Sequence, residues 1–223
     1  MVRRWLGRID VELLETIAAA LQDGDHVKVA ALVRRALDDG IPVGEVLDRG
    51  LLAGMDVIGT RFGAHEIFLP DVLLAARAMK AGMDLVKPLL VTGQTPSRGT
   101  VVLGTVQGDV HDIGKNLVAT MLAGAGFEII DLGTDIAPAA FVEAAVANEA
   151  AVVGLSALLT TTMAGMRDVV DLVRERGLAD RVRTIVGGAP VTQAFADEIG
   201  ADAYAWDAGS AVEVVKQLVG IPP

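Results

Sequence analysis

Apolar positions recur at helical spacing through about residue 91, and beyond residue 100 they gather instead into short unbroken runs. Breaks at "DGD" (23–25), "DDGIP" (38–42) and "FGAHEIFLP" (62–70) divide the first part into four helices. The last is the clearest. Pro70 suits a first helical turn, and Val72, Leu73, Ala76, Met79, Met83 and Val86 make one apolar stripe. Four helices joined by short loops predict a small antiparallel bundle.

In the second part, "TVVLGTV" (100–106), "FEIID" (127–131), "AAVVGLS" (150–156), "VRTIVGG" (182–188) and "DAYAW" (202–206) are each followed by a helical segment. Continuous apolar runs alternating with helices predict a parallel sheet covered on both faces. The expected fold class is therefore α + α/β: a four-helix bundle, then a flavodoxin-like doubly wound domain with a five-stranded parallel sheet. Ligands of such a domain lie beyond the carboxyl ends of the strands. "VTGQTPSRGT" (91–100) ends the helical pattern, which sets expected boundaries of 1–92 for the bundle, 93–99 for a linker and 100–223 for the α/β domain.

The 223 residues are 52% hydrophobic and 22% charged, a composition that supplies a sizeable core. A net charge of −10 argues against nucleic-acid surfaces and polybasic membrane patches, both of which need clustered Lys and Arg. No cysteine occurs, which excludes disulfides, thiolate catalysis and cysteinyl metal sites. Asp10, Glu12 and Glu15 interrupt the apolar start of the chain, and no segment has about 18 apolar residues without charge, so the expected location is the cytoplasm.

Within this framework the residues just past the strands are the site candidates. Strand one runs into "GTVQGDVHDIGKNLV" (104–118), which places one of only three histidines between two aspartates. Phosphate loops at such a junction rely on glycine and backbone N–H groups, so a histidine there suggests other chemistry. A neutral imidazole can bind a metal through one nitrogen while the other N–H donates to a carboxylate, here Asp109, with a hydroxyl of Ser156 or Thr162 extending the chain. One histidine and no cysteine do not make a zinc cage, so a metal on His111 would need its remaining ligands from a macrocycle. A lone histidine in a turn is more often a structural or solvated residue, and on these residues alone both readings stand. For His26 and His65 the solvated surface is favoured.

Asp109-x-His111-x-x-Gly114, then 41 residues to Ser156-x-Leu158, then 28 to Gly187-Gly188, resembles the three-part pattern of the cobalamin-binding domain. The stretch 104–118 is similar to its counterpart in cobalamin-dependent methionine synthase and in corrinoid proteins of methyltransferase systems. "GMDVIGTRFGAHEIFLPDVLLAARAMKAGM" (54–83) resembles the helical cap preceding that domain, and the resemblance spans roughly residues 10 to 220.

This resemblance implies a cobalamin cofactor with His111 as the lower cobalt ligand in place of the cofactor's own base, and Asp109 as acceptor of the other ring N–H. Thr162 stands where methionine synthase completes the relay with a serine, so its extra methyl puts the relay geometry in question. Ser156 and Thr160 would contact the nucleotide tail or the corrin edge, beside Gly108, Val110, Asp112 and Leu158 of the same loops. Gly114, Gly187 and Gly188 would leave room for the tail. Phe62, Leu69 and Val72 match residues that cover a methyl group, although ordinary bundle core is the alternative reading. Asp48 matches a cofactor-contacting glutamate one carbon longer, and Ala208 matches a further contact.

The implied function is that of a methyl carrier cycling between Co(I) and methyl-Co(III), not catalytic without its partners. One partner methyltransferase would draw on a methylamine, methanol, a betaine or a methoxy-arene; a second would pass the methyl to tetrahydrofolate or a thiol. A reductive activase would complete the set, with no nucleic acid and no membrane among the partners. Alternatives are a cobalamin-dependent sensor module and the small subunit of an adenosylcobalamin mutase. A receiver or nucleotide-binding domain would leave the three-part pattern unexplained.

Overall fold

The structure, a computed structural model, describes residues 2–90 and 98–221, with backbone alone for residues 2–10, 87 and 90. The expected linker residues 93–97 lie outside the described residues. The chain forms two compact units that divide near residue 97.

The first unit is helical: α1 (Val2–Gln22), α2 (His26–Asp38), α3 (Val43–Glu45), a π-helical stretch (Val46–Leu52), α4 (Ala53–Gly63) and α5 (Leu69–Leu90). The breaks expected from the sequence are where the helices end. Asp25 caps α2 by accepting the Lys28 N–H at 2.9 Å, which satisfies one of the donors that every helix start leaves open. The third expected helix runs without interruption from α3 to α4, but through a π turn in which the Ala53 N–H reaches the Asp48 carbonyl. That wide turn puts one extra residue into the helix, a feature that hydrophobic spacing does not reveal. Glycine allows close approach of these helices: a Cβ on Gly54 would lie 2.9 Å from the Ala18 carbonyl oxygen, and one on Gly82 would lie 2.5 Å from Leu51.

The stripe read along α5 needs one correction. Leu73 is half exposed, and the buried face is Val72, Ala75, Ala78, Met79 and Val86.

The second unit is an α/β sandwich around β1 (Thr100–Thr105), β2 (Glu128–Asp131), β3 (Val152–Ser156), β4 (Arg183–Gly187) and β5 (Ala203–Ala205). All pairings are parallel in the order β2-β1-β3-β4-β5, the doubly wound arrangement expected. Between the strands run α6 (Ile113–Gly124), α7 (Pro138–Ala147), α8 (Ala164–Glu175) and α9 (Gln193–Ile199), and α10 (Ala208–Leu218) follows β5. Strand β1 is buried from Val101 to Thr105, because it is flanked by strands and covered on both faces, whereas edge strand β2 is half-buried. The order reverses between β1 and β3, so the loops leaving these two strands lie side by side at the usual ligand position of such sheets.

Core packing here relies on one notable fit. The ring of Phe141, fully buried on α7, lies against Gly104 of β1, where an added Cβ would come within 2.5 Å of it. Gly104→Ala is expected to destabilise the protein by about 1–3 kcal/mol through overpacking. In a Phe141→Leu background the same change should cost clearly less, which urea unfolding of the single and double variants measures.

Candidate cofactor site

The loop after β1 is shaped by its backbone. Gly108 takes φ +84°, a conformation that favours glycine, and the Asp109 N–H turns back to the Val106 carbonyl at 3.1 Å. The Thr105 hydroxyl, wholly buried, donates to the His111 carbonyl at 2.8 Å. The loop is thus tied to its own strand on either side of the aspartate.

Asp109 is completely buried, and its carboxylate has a donor at every turn. Oδ1 accepts the His111 backbone N–H at 3.0 Å and sits 2.7 Å from His111 Nδ1. Oδ2 accepts the N–H groups of Leu158 at 2.8 Å and Leu159 at 3.1 Å, and the Thr162 hydroxyl at 2.8 Å. Burial pushes the acid's pKa up and is the largest single influence. The hydrogen bonds from the His111 and Leu158 amides, the imidazole and Thr162 together outweigh it and hold the carboxyl well below the usual carboxylate range.

An ionised carboxylate is an acceptor only, so the neutral imidazole carries its hydrogen on Nδ1 and presents the lone pair of Nε2. The His111 side chain is 46% exposed. Its surroundings are apolar: Val110 and Ile113 are 71% and 80% exposed, and Leu158 and Leu159 are partly exposed beyond β3. Among the described residues no three His, Cys, Asp or Glu side chains are placed to share a metal ion. A single imidazole nitrogen, with no further protein ligand beside it among the described residues, fits a metal whose remaining ligands come with a macrocycle.

Of the two hydroxyls considered from sequence, Thr162 reaches Asp109, and the Ser156 side chain makes no hydrogen bond among the described residues. The Thr162 hydroxyl also lies 2.9 Å from the Leu159 carbonyl, so one proton is shared between two acceptors. Its methyl group causes no strain. Even a Cβ added at Gly108 would stand 3.5 Å from it, an ordinary contact.

The glycines separate into two kinds. Nothing stands within 4 Å of a Cβ built on Gly114, which leaves that side of α6 open. Gly188, at φ +130°, would put a Cβ 1.9 Å from the Ala157 carbonyl oxygen, and Gly187 would put one 3.0 Å from the Ala205 carbonyl. These two glycines are needed for backbone approach between strand ends, whatever else they leave room for. Thr160 is exposed, as is Asp112, whose carboxylate accepts the Asn116 amide at 3.0 Å; Ala208 is buried at the start of α10. In the helical unit Asp48 is exposed within the π turn, Phe62 is half-buried, Leu69 is partly exposed and Val72 is wholly buried. His65 is exposed and His26 half-buried, as surface residues are.

The sequence reading missed Lys115. Its side chain is buried, and Nζ bonds Asn116 Oδ1 at 2.7 Å and both oxygens of Asp131 at 2.6 and 2.7 Å. Burial raises the Asp131 pKa, but the lysine and the Gly133 amide lower it more, so the net shift is downward. A lysine straight after a glycine in an apolar helix start was the available signal. No helix among the described residues is long and apolar enough to cross a membrane.

The B12 binding domain matches residues 99–216, and a second B12 binding domain matches residues 13–87. Dimethylamine corrinoid protein 2 of Methanosarcina acetivorans is 46% identical over 93% of this chain and 96% of its own. The crystal structure of a cobalamin-binding protein from Desulfitobacterium hafniense is similar with a TM-score of 0.78 at 32% identity, covering 93% of this chain and 98% of that one. A chain of the methanol:cobalamin methyltransferase complex from Methanosarcina barkeri gives a TM-score of 0.82 at 32% identity, over 93% of this chain and 80% of that one.

The depressed pKa of Asp109 ties stability to pH with a definite sign. The contribution is fully present above about pH 4–5 and is lost as pH falls, because the unfolded chain takes up the proton first. Acid titration of the cofactor-free protein is expected to show this loss, with a shallower dependence in Asp109→Asn.

Proposed function

The chain belongs to the family of B12-binding corrinoid proteins and its cofactor is a corrinoid, and from that premise we propose that it is the methyl-carrying protein of a multi-component methyltransferase system. The observation that carries the reading is the Asp109–His111 pair, in which Asp109 engages Nδ1 at 2.7 Å and so leaves Nε2 as the ring nitrogen available for a ligand on a half-exposed side chain. When bound, the corrin's cobalt supplies the centre that accepts and gives up the methyl group.

In this reading His111 Nε2 would be the protein's ligand to the cobalt. Asp109 fixes the ring orientation, and Thr162 with the Leu158 and Leu159 amides fixes Asp109. When Nε2 is released it can take up a proton while Nδ1–H stays on Asp109, so ligation and protonation of the imidazole exclude each other. Val110, Ile113 and Leu158 offer apolar contact to the ring edge, and the space beside Gly114 admits the tail.

Residues 1–92 would serve as the cap, with Phe62 and Leu69 as its apolar cover and Asp48 as a polar contact, while wholly buried Val72 would support that cover from within; 93–99 would be the linker and 100–223 the cofactor domain. Among methyl donors, a methylamine or methanol is favoured by the relatives named for dimethylamine and by the methanol:cobalamin methyltransferase complex. A substrate-specific methyltransferase, a second methyltransferase delivering to tetrahydrofolate or a thiol, and a reductive activase complete the system.

Reconstitution with hydroxocobalamin followed by EPR of the Co(II) form tests the ligand. Nitrogen superhyperfine splitting is expected in the wild type and absent in His111→Ala; its persistence in that variant, or failure of the wild type to take up the cofactor, overturns the reading. Thr162→Ser should keep the splitting and the visible spectrum of the wild type. Thr162→Val, which leaves the Asp109 carboxylate one donor short, should shift the population toward the form without histidine bound.

A further inference from the structure

The relay secures the imbazole side of the loop from β3, but the backbone carrying Gly108 and Asp109 has a second support that none of the recognised residues supplies. It comes from the segment after β2. The Asp135 carboxylate accepts the Gly108 N–H at 2.8 Å, and the Asp135 N–H donates to the Asp109 carbonyl at 2.9 Å. One residue therefore closes a two-point clamp that brackets the backbone from the Gly108 N–H to the Asp109 carbonyl.

Asp135 achieves this from a left-handed backbone, with φ +57°. Asparagine and aspartate tolerate that region better than other residues with a Cβ, and the conformation persists only where surrounding bonds fix it. They do so here. The Gly133 carbonyl accepts the Thr105 N–H at 2.9 Å, and the Ile136 N–H donates to the Thr105 carbonyl at 3.0 Å. The same Thr105 carries the hydroxyl that bonds the His111 carbonyl. At the base of the segment Asp131 grips buried Lys115 on α6, the helix into which the histidine loop runs.

We propose that Asp135 is a positioning residue for His111: by clamping Gly108 and Asp109 from the β2 side, it sets where the relay, and hence the imidazole, stands relative to the sheet. The proposal rests on the ligand role of His111 for its consequence at the metal, and on geometry alone for its consequence in the cofactor-free protein.

Three substitutions separate the contributions. Asp135→Asn keeps an acceptor oxygen and a residue type suited to positive φ. Asp135→Gly keeps the conformation and removes the acceptor. Asp135→Ala removes the acceptor and strains the backbone. Hydrogen exchange of the cofactor-free full chain is the first readout: the Gly108 and His111 amides should exchange about tenfold faster or more in Asp135→Gly and Asp135→Ala, as expected for loss of a charged hydrogen bond. They should stay near wild type in Asp135→Asn, and amides of β4 should be unchanged throughout. Wild-type exchange at Gly108 and His111 in Asp135→Gly overturns the proposal. So does equal acceleration across β4, which would make Asp135 a general stability residue.

After reconstitution with hydroxocobalamin, the Co(II) EPR spectrum should show mixed histidine-bound and histidine-free populations in Asp135→Gly, and the wild-type spectrum in Asp135→Asn. An unmixed wild-type spectrum in Asp135→Gly overturns the proposal as well. Failure of the wild type itself to bind the cofactor would defeat the ligand reading, while the exchange result would still decide the clamp.

Discussion

A carboxylate taken out of water must be given donors or it will not stay ionised. Asp109 meets that demand with two backbone amides beyond β3, its neighbour's amide and ring, and the Thr162 hydroxyl. Each donor is therefore held as firmly as it holds the acid. The loops of β1 and β3 join through this one side chain, and the tautomer of His111 follows from it. The buried charge thus organises the site; a neutral group of the same shape would satisfy fewer of the converging donors.

Sheet order makes this arrangement possible. Because β1 lies between β2 and β3, the histidine loop has a neighbour on each side, and both are used. From β3 come the donors to the carboxylate; from the β2 side come Asp135 against the backbone and Asp131 against Lys115. The open faces carry apolar side chains such as Val110 and Ile113, and the space beside Gly114 is free.

Much of this was legible in the sequence, for definite reasons. Runs such as "TVVLGTV" and "AAVVGLS" are apolar because both faces of a central parallel strand are covered, and the helix breaks carry Gly, Asp and Pro where caps and turns need them. Asp109 and His111 stood out because a charge and an imidazole at a strand end have no role in packing. Other features were hidden. Leu73 reads as core but is exposed, since the face of α5 that is buried runs through Val72, Ala75, Ala78, Met79 and Val86. The π turn at Val46–Leu52 leaves hydrophobic periodicity almost undisturbed. Gly187 and Gly188 suggest room for a ligand, yet their surroundings show that neighbouring backbone already claims much of that space. Lys115 and Asp135 look like surface charges until tertiary structure brings their partners within reach.

The distances in sequence across the relay bear on how the protein is made. Thr162 is 53 residues beyond Asp109, and the Leu158 and Leu159 amides are 49 and 50 beyond it, with α6, β2 and α7 between. No local fragment containing "GDVHDIG" can hold its histidine in the final orientation. The imidazole is set only once β3 has docked beside β1, a long-range closure of the kind that slows folding. During synthesis, the aspartate emerges well before its acceptor duties can be met, and remains a hydrated surface acid until then. The orientation of the His111 imidazole is consequently a late property of the chain, acquired with its tertiary structure and not encoded in the motif by itself.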